Sequence, residues 1–199
     1  MQLRDRVALV TGGARRVGRE IALTLARRGA SGAISYRTSS SDAQKTICDL
    51  ERCGVRAVAI RANLSSASQA RQLVAQTVRQ LGRLDVLVNS ASLFERAPVG
   101  RITERQWDAH LDANLKGPAF CALEAARRMT RGGVIVNITD WAAERPYTGY
   151  LPYCVSKAGL SALTKGLAKE LAPRIRVLSV APGPMLAPPD MTAAQRRRA

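Results

Sequence analysis

The chain has 199 residues, enough for one domain with a sizeable core, and is 46% hydrophobic and 23% charged, an ordinary balance for a globular protein. No apolar run is long enough to span a bilayer, and Cys48, Cys53, Cys121 and Cys154 show neither the C-x-x-C spacing of a metal site nor the density of a disulfide framework. The formal charge is +16, yet the basic residues are spread out and run together only at Arg196, Arg197 and Arg198, so a solvated basic surface is expected rather than a nucleic-acid stripe.

The first residues lead straight into the short apolar stretch Val7-Ala8-Leu9-Val10, too short for the core of a secretion signal. A cytoplasmic protein with reduced thiols and no metal is expected. Along the chain, short apolar runs alternate with amphipathic stretches: strands at 7–11, 33–36, 57–62, 86–89, 133–138 and 176–181, helices near 16–28, 40–53, 67–81, 104–130 and 151–172. This alternation specifies an α/β fold, a doubly wound parallel sheet of the Rossmann type covered on both faces by right-handed crossovers. Ligands in such a sheet collect at the carboxyl ends of the strands, near the point where strand order reverses.

The first strand ends in Thr11-Gly12-Gly13-Ala14-Arg15-Arg16-Val17-Gly18. Glycines there permit positive φ and let backbone approach a pyrophosphate, which the following helix N-terminus attracts. The plainer alternative is that they serve tight packing alone. The second strand ends in Ser35-Tyr36-Arg37-Thr38-Ser39. An acidic residue at this turn suits the ribose hydroxyls of NAD, whereas Arg37, aided by the neighbouring hydroxyls and by Arg15, suits the 2′-phosphate of NADP. NADPH is therefore the expected cofactor; the alternative leaves Arg37 facing solvent. The fourth strand runs into Asn89-Ser90-Ala91-Ser92 and then Phe94, the long helix carries Trp107, His110 and Asn114, and the fifth strand leads to Asp140 and Trp141. His110 reads as a surface or packing residue and Trp107 and Trp141 as packing residues, the alternative for Trp141 being a place at the border of the pocket.

Tyr153 and Lys157, four apart at the start of the last helix, share one helical face. The ammonium should favour the tyrosinate and bring proton exchange nearer neutral pH. Such a pair alone is common. Here the glycine turn, Asn89 to Ser92, Asn114, Tyr153 with Lys157 and Pro182-Gly183 follow in the order and spacing of the short-chain dehydrogenase/reductase family, which the whole chain resembles. The resemblance implies that Asn89, Ser90, Ala91 and Ser92 line the cofactor. It further implies that Asn63 and Leu64 contact the adenine, that Asn114 holds a water in a proton relay to Lys157, and that Pro182 and Gly183 border the nicotinamide.

Two positions depart from the common family pattern: Arg16 stands where a glycine is usual, and Asp140, thirteen residues before Tyr153, where a serine is usual. Both resemble the pteridine reductase branch, whose catalytic set is Asp, Tyr and Lys, here Asp140, Tyr153 and Lys157. Phe94 and Tyr150 match aromatic residues of that branch's pocket, so Arg16, Ser92, Phe94, Asp140, Tyr150 and Tyr153 are the expected substrate residues. A flat heteroaromatic ring needs an aromatic sandwich and a polar partner at its edge. Core packing for Phe94, a cap for Asp140 and a surface ion pair for Arg16 are the plainer readings.

The expected function is hydride transfer from NADPH to a C=N or C=O bond of a small molecule, a dihydropteridine or dihydrofolate-like substrate. A carbonyl or 3-oxoacyl thioester reductase is the alternative, and a non-catalytic NADPH-binding protein the alternative of another class. Residues 1–183 should form the dinucleotide-binding domain and residues 184–199 the start of a substrate loop or a short tail. The family's seventh strand is expected to be missing, leaving the sixth as an edge. Association is expected as a homodimer through the two long helices, with no nucleic acid or membrane partner.

Overall fold

The computed structural model of the chain describes residues 3–183; the expected loop or tail at 184–199, with its arginine run, lies outside them. Six strands form one sheet: β1 (Val7–Val10), β2 (Ser31–Tyr36), β3 (Ala57–Arg61), β4 (Val86–Asn89), β5 (Gly133–Ile138) and β6 (Ile175–Val180). Every pairing is parallel, in the order β3-β2-β1-β4-β5-β6. The order reverses between β1 and β4, where a Rossmann sheet opens its binding crevice. β2 starts two residues earlier than its β-branched run, because Ser31 and Gly32 pair with Val7 and Ala8.

The helices are α1 (Arg16–Ala26), α2 (Ser40–Glu51), α3 (Ala67–Leu81), α4 (Glu104–Leu111), α5 (Gly117–Arg128) and α6 (Leu151–Leu171). Alternation along β1 divides the core: Ala8 and Val10 face Leu23, Ile47 and Leu50 of α1 and α2. Val7 and Leu9 face the other layer, with Leu73 of α3, Ala122 of α5 and Leu167 of α6. Local chemistry sets the helix ends. Ser66 Oγ accepts from the Gln69 N–H at 3.4 Å, and Gly82, at φ +88°, closes α3 in the left-handed conformation. Thr103 and Gln106 form a capping box on α4, and Pro173 follows the end of α6.

The expected single helix at 104–130 is interrupted. A π-turn, Asp112–Lys116, separates α4 from α5. Pro118 explains it: without an N–H, it cannot bond the carbonyl of Asn114 four residues back, and the register slips by one residue. Short 3-10 turns at Val99–Arg101 and Trp141–Ala143 were likewise not expected from periodicity. Among the described residues β6 is one edge of the sheet, with Leu178 and Val180 exposed, and β3 is the other. No helix among them is long and apolar enough to cross a membrane.

Candidate active site

A cleft of about 430 Å³ opens at the carboxyl ends of β1, β2 and β4. Two hydroxyls hold its floor. Thr11 Oγ1 accepts from the N–H groups of Ser90 and Ala91, each at 3.0 Å, and Ser35 Oγ accepts from the Gly12 N–H at 3.1 Å. Gly12 lies at φ +65°, and a Cβ there would come within 2.9 Å of Ala91 Cα. Only glycine lets the turn pass this close to the β4 loop. No side chain caps the N-terminus of α1, whose N–H groups can receive an anion.

Of the residues expected to hold a cofactor, Gly12, Arg15, Arg16, Val17, Gly18, residues 36–39, Asn63, Leu64 and residues 90–92 line this cleft. Asn89, Lys157, Pro182 and Gly183 do not. Asn89 is turned into the core, where its Nδ2 donates to Asn137 Oδ1 at 2.8 Å and to the Pro118 carbonyl at 3.4 Å. It therefore braces β4 against β5 and α5 rather than lining the cleft. Pro182 lies at the far end of β6, where its carbonyl accepts from the Trp141 N–H at 3.4 Å, with Gly183 exposed beside it.

The arginines of the cleft differ. Arg16 begins α1 at φ +53°, a left-handed conformation costing roughly 1–2 kcal/mol for a residue with a Cβ. That is the physical reason a glycine suits this position. Arg15 Nε lies 3.7 Å from a carboxylate oxygen of Asp42 in the first turn of α2. The exposed Arg37 guanidinium has no protein partner among the described residues, and only its carbonyl is engaged, by Arg61 Nε at 3.2 Å.

Beyond the cleft lies a partly buried polar cluster. Asp140 sits after β5 and caps the short turn Trp141–Ala143, its Oδ1 accepting from the Ala142 N–H at 2.7 Å. The same oxygen accepts from the Tyr147 hydroxyl at 3.0 Å, and Oδ2 accepts from the Tyr153 hydroxyl at 2.5 Å. One carboxylate thus caps the turn and bonds both phenols. Burial, with Asp140 adding to it, pushes the Tyr153 phenol far above the ordinary tyrosine range and the Tyr147 phenol up to about 12.

Lys157 does not counter this as the sequence led us to expect. Its Nζ donates to the Ile138 carbonyl at 2.9 Å and lies 5.7 Å from the centre of the Tyr153 ring. Burial lowers the ammonium to about 8 even with Asp140 opposing. Burial first and the Asp140 carboxylate second keep the Tyr153 phenol protonated.

Phe94 joins an aromatic wall rather than the core. It is stacked on Tyr150 with ring centres 4.4 Å apart, and meets Tyr153 edge-on at 4.7 Å and Tyr147 at 6.5 Å. One face of Phe94 is therefore covered by Tyr150. Asn114 is fully buried in the π-turn. Its Nδ2 donates to the Leu93 carbonyl and Ser156 Oγ, and its Oδ1 accepts from the Leu93 N–H and Ser92 Oγ. That amide is saturated, so its side chain has no site left for the expected relay water.

Two contributors, Tyr147 and Ser156, escaped the sequence reading, whereas His110 fits its packing reading. Tyr147 lies in an irregular segment with no periodic signal. His110, read as surface or packing, is fully buried, its ring joining the Gln106 carbonyl at 2.8 Å and the Glu95 N–H at 3.3 Å. Ser156 accepts from Asn114 and donates to the Tyr153 carbonyl at 2.6 Å. The one available signal was Ser156 itself, a polar residue on a helix face that also carries Tyr153.

Comparison with known proteins bears on this geometry. The family model described as short chain dehydrogenase matches residues 6–198. A 3-oxoacyl-(acyl-carrier-protein) reductase of Staphylococcus epidermidis is 37% identical over 193 residues, covering 96% of this chain and 78% of that protein. A short chain dehydrogenase from Burkholderia cenocepacia, solved in complex with NADP, is similar with a TM-score of 0.93 and 36% identity, over 100% of this chain and 82% of that one. A blue fluorescent protein from a metagenomic library, solved with NADPH, gives a TM-score of 0.92 and 36% identity, over 98% and 81% of the two chains.

Proposed function

The chain belongs to the short-chain dehydrogenase family, and on that premise we propose that it is an NADPH-dependent reductase whose substrate is a dihydropteridine or a dihydrofolate-like molecule. NADP and NADPH occupy two of the similar structures, and the cleft suits the same cofactor. Its glycine turn leaves no room for a Cβ against Ala91, α1 offers an uncapped N-terminus, and Arg37 stands ready beside Thr38 and Ser39 for a 2′-phosphate.

When bound, the cofactor supplies the hydride. The residues of the chain supply the proton. Tyr153 is the donor, its O–H turned from Asp140 toward the substrate nitrogen or oxygen, and Asp140 holds that hydroxyl in place at 2.5 Å until then. Lys157, buried beneath the tyrosine ring, keeps a positive charge near the phenolate that proton transfer leaves.

The pterin reading rests on one observation above all: Asp140 is bonded to Tyr153 beside an aromatic wall of Phe94, Tyr147 and Tyr150. A carboxylate with aromatic faces suits a flat ring with a polar edge. The similarity to a 3-oxoacyl-(acyl-carrier-protein) reductase favours the second reading, an oxoacyl thioester. NADPH oxidation measured side by side with dihydrobiopterin, dihydrofolate and an acetoacetyl thioester separates the two. Faster turnover of the pteridines is expected; turnover of the thioester alone would replace the first reading with the second.

We also propose that the chain pairs as a two-fold homodimer through α4–α5 and α6, where Leu123, Leu151 and Val155 are exposed apolar side chains. Light scattering should give twice the mass of one chain.

A further inference from the structure

We infer that Tyr147 is a positioning residue for the reaction: its hydroxyl anchors one oxygen of Asp140 so that the other stays on Tyr153. The inference rests on the reading above, in which Tyr153 gives the proton and Asp140 orients it.

The terminal torsion of an aspartate is soft, so a carboxylate held at one point swings. Asp140 is held at three. The Ala142 N–H and the Tyr147 hydroxyl meet at Oδ1, at 2.7 and 3.0 Å, and Oδ2 is left to Tyr153. The arrangement matters most during the reaction. When Tyr153 turns its O–H to the substrate, Asp140 loses a donor, and a partly buried carboxylate short of donors is costly. Tyr147 and Ala142 keep it bonded and aimed through that moment.

Tyr147 is itself fixed from several sides. Its N–H donates to Cys154 Sγ at 3.3 Å, one residue beyond Tyr153, and its ring stands edge-on to Phe94 and Tyr150 at 6.5 Å. It therefore couples the substrate-facing aromatic wall to the acid. The direction of its ionisation agrees, since burial and the bond to Asp140 together hold its phenol in the protonated, donating form.

Tyr147→Phe in the full chain keeps the ring and removes the bond. With whichever substrate the unaltered protein reduces, kcat should fall roughly tenfold, while KM and the Kd for NADPH change by less than about twofold. The solvent deuterium isotope effect on kcat should rise, because proton delivery becomes slower. In an Asp140→Asn background the same substitution should lower kcat by less than about twofold, since it acts through Asp140.

A second measurement needs no substrate. In protein carrying tyrosine labelled at the hydroxyl-bearing ring carbon, the Tyr153 resonance should shift on Tyr147→Phe and lose that response once Asp140 is Asn. A raised KM with unchanged kcat, multiplicative losses in the double variant, or an unmoved Tyr153 resonance would each overturn the inference. Should no pteridine be reduced, the substrate reading falls, while the resonance still decides the role of Tyr147.

Discussion

Asp140→Asn separates the charge of this residue from its shape. Asparagine caps a helical turn as well as aspartate does, so the bond from the Ala142 N–H at 2.7 Å survives and the turn Trp141–Ala143 should keep its form. What disappears is the anionic acceptor 2.5 Å from the Tyr153 hydroxyl. An amide nitrogen facing that hydroxyl can only donate to it, which reverses the bond and releases the phenolic proton from its place. A hydrogen bond to a charged group contributes about 1.5–3 kcal/mol, which corresponds to a loss of about 10- to 100-fold in kcat. Asp140 does not line the cofactor cleft, so the Kd for NADPH should move by less than about twofold. Single-turnover reduction with saturating NADPH measures the first quantity, and quenching of protein fluorescence the second. The Tyr147 phenol, held near 12 by burial and then by Asp140, should titrate lower but stay above the ordinary tyrosine range, because burial remains. Unchanged turnover together with a weakened cofactor complex would refute the reasoning and leave Asp140 as a cap alone.

Two other perturbations test separate parts of the site. Arg37→Ala should weaken NADPH binding about tenfold and leave NADH nearly unchanged, since an exposed charge-assisted contact to one phosphate is all that is lost; equal weakening of both would make Arg37 structural. Lys157→Met should abolish turnover yet raise Tm at neutral pH. The lysine's folded-state pKa, about 8, lies below that of an exposed lysine, so the folded chain resists the charge. The penalty is complete below pH 8 and is relieved as pH rises through that value toward the ordinary lysine range. The gain in Tm should shrink accordingly, and a gain independent of pH would clear the buried ammonium of responsibility.

The six-stranded parallel sheet was legible because the strands, and all the helices but the interrupted stretch at 104–130, announce themselves by local periodicity and by the residues that punctuate them. The glycine turn, Arg37 and the spacing of Tyr153 from Lys157 were legible for the same reason: their placement follows from the ends of elements already identified. Residue identity could not show which way a side chain faces at a strand end. Asn89 sits where the turn begins, yet it is drawn inward by Asn137 of β5 and the Pro118 carbonyl of α5. The helix at 104–130 held a readable warning in Pro118, whose missing N–H produces the π-turn that buries Asn114.

The sequence by itself determined the sheet, the cleft at its reversal point and the residues around the glycine turn, because these depend on patterns within a few residues of one another. Only the tertiary structure decided what surrounds the phenols and the lysine. Tyr147 reaches Asp140 through an irregular segment, and Lys157 turns to the Ile138 carbonyl instead of the tyrosine hydroxyl. The ionisation of Tyr153 is set by burial and one carboxylate brought beside it. Desolvation and charge proximity belong to the packed space around a group, and no spacing along the chain encodes them directly.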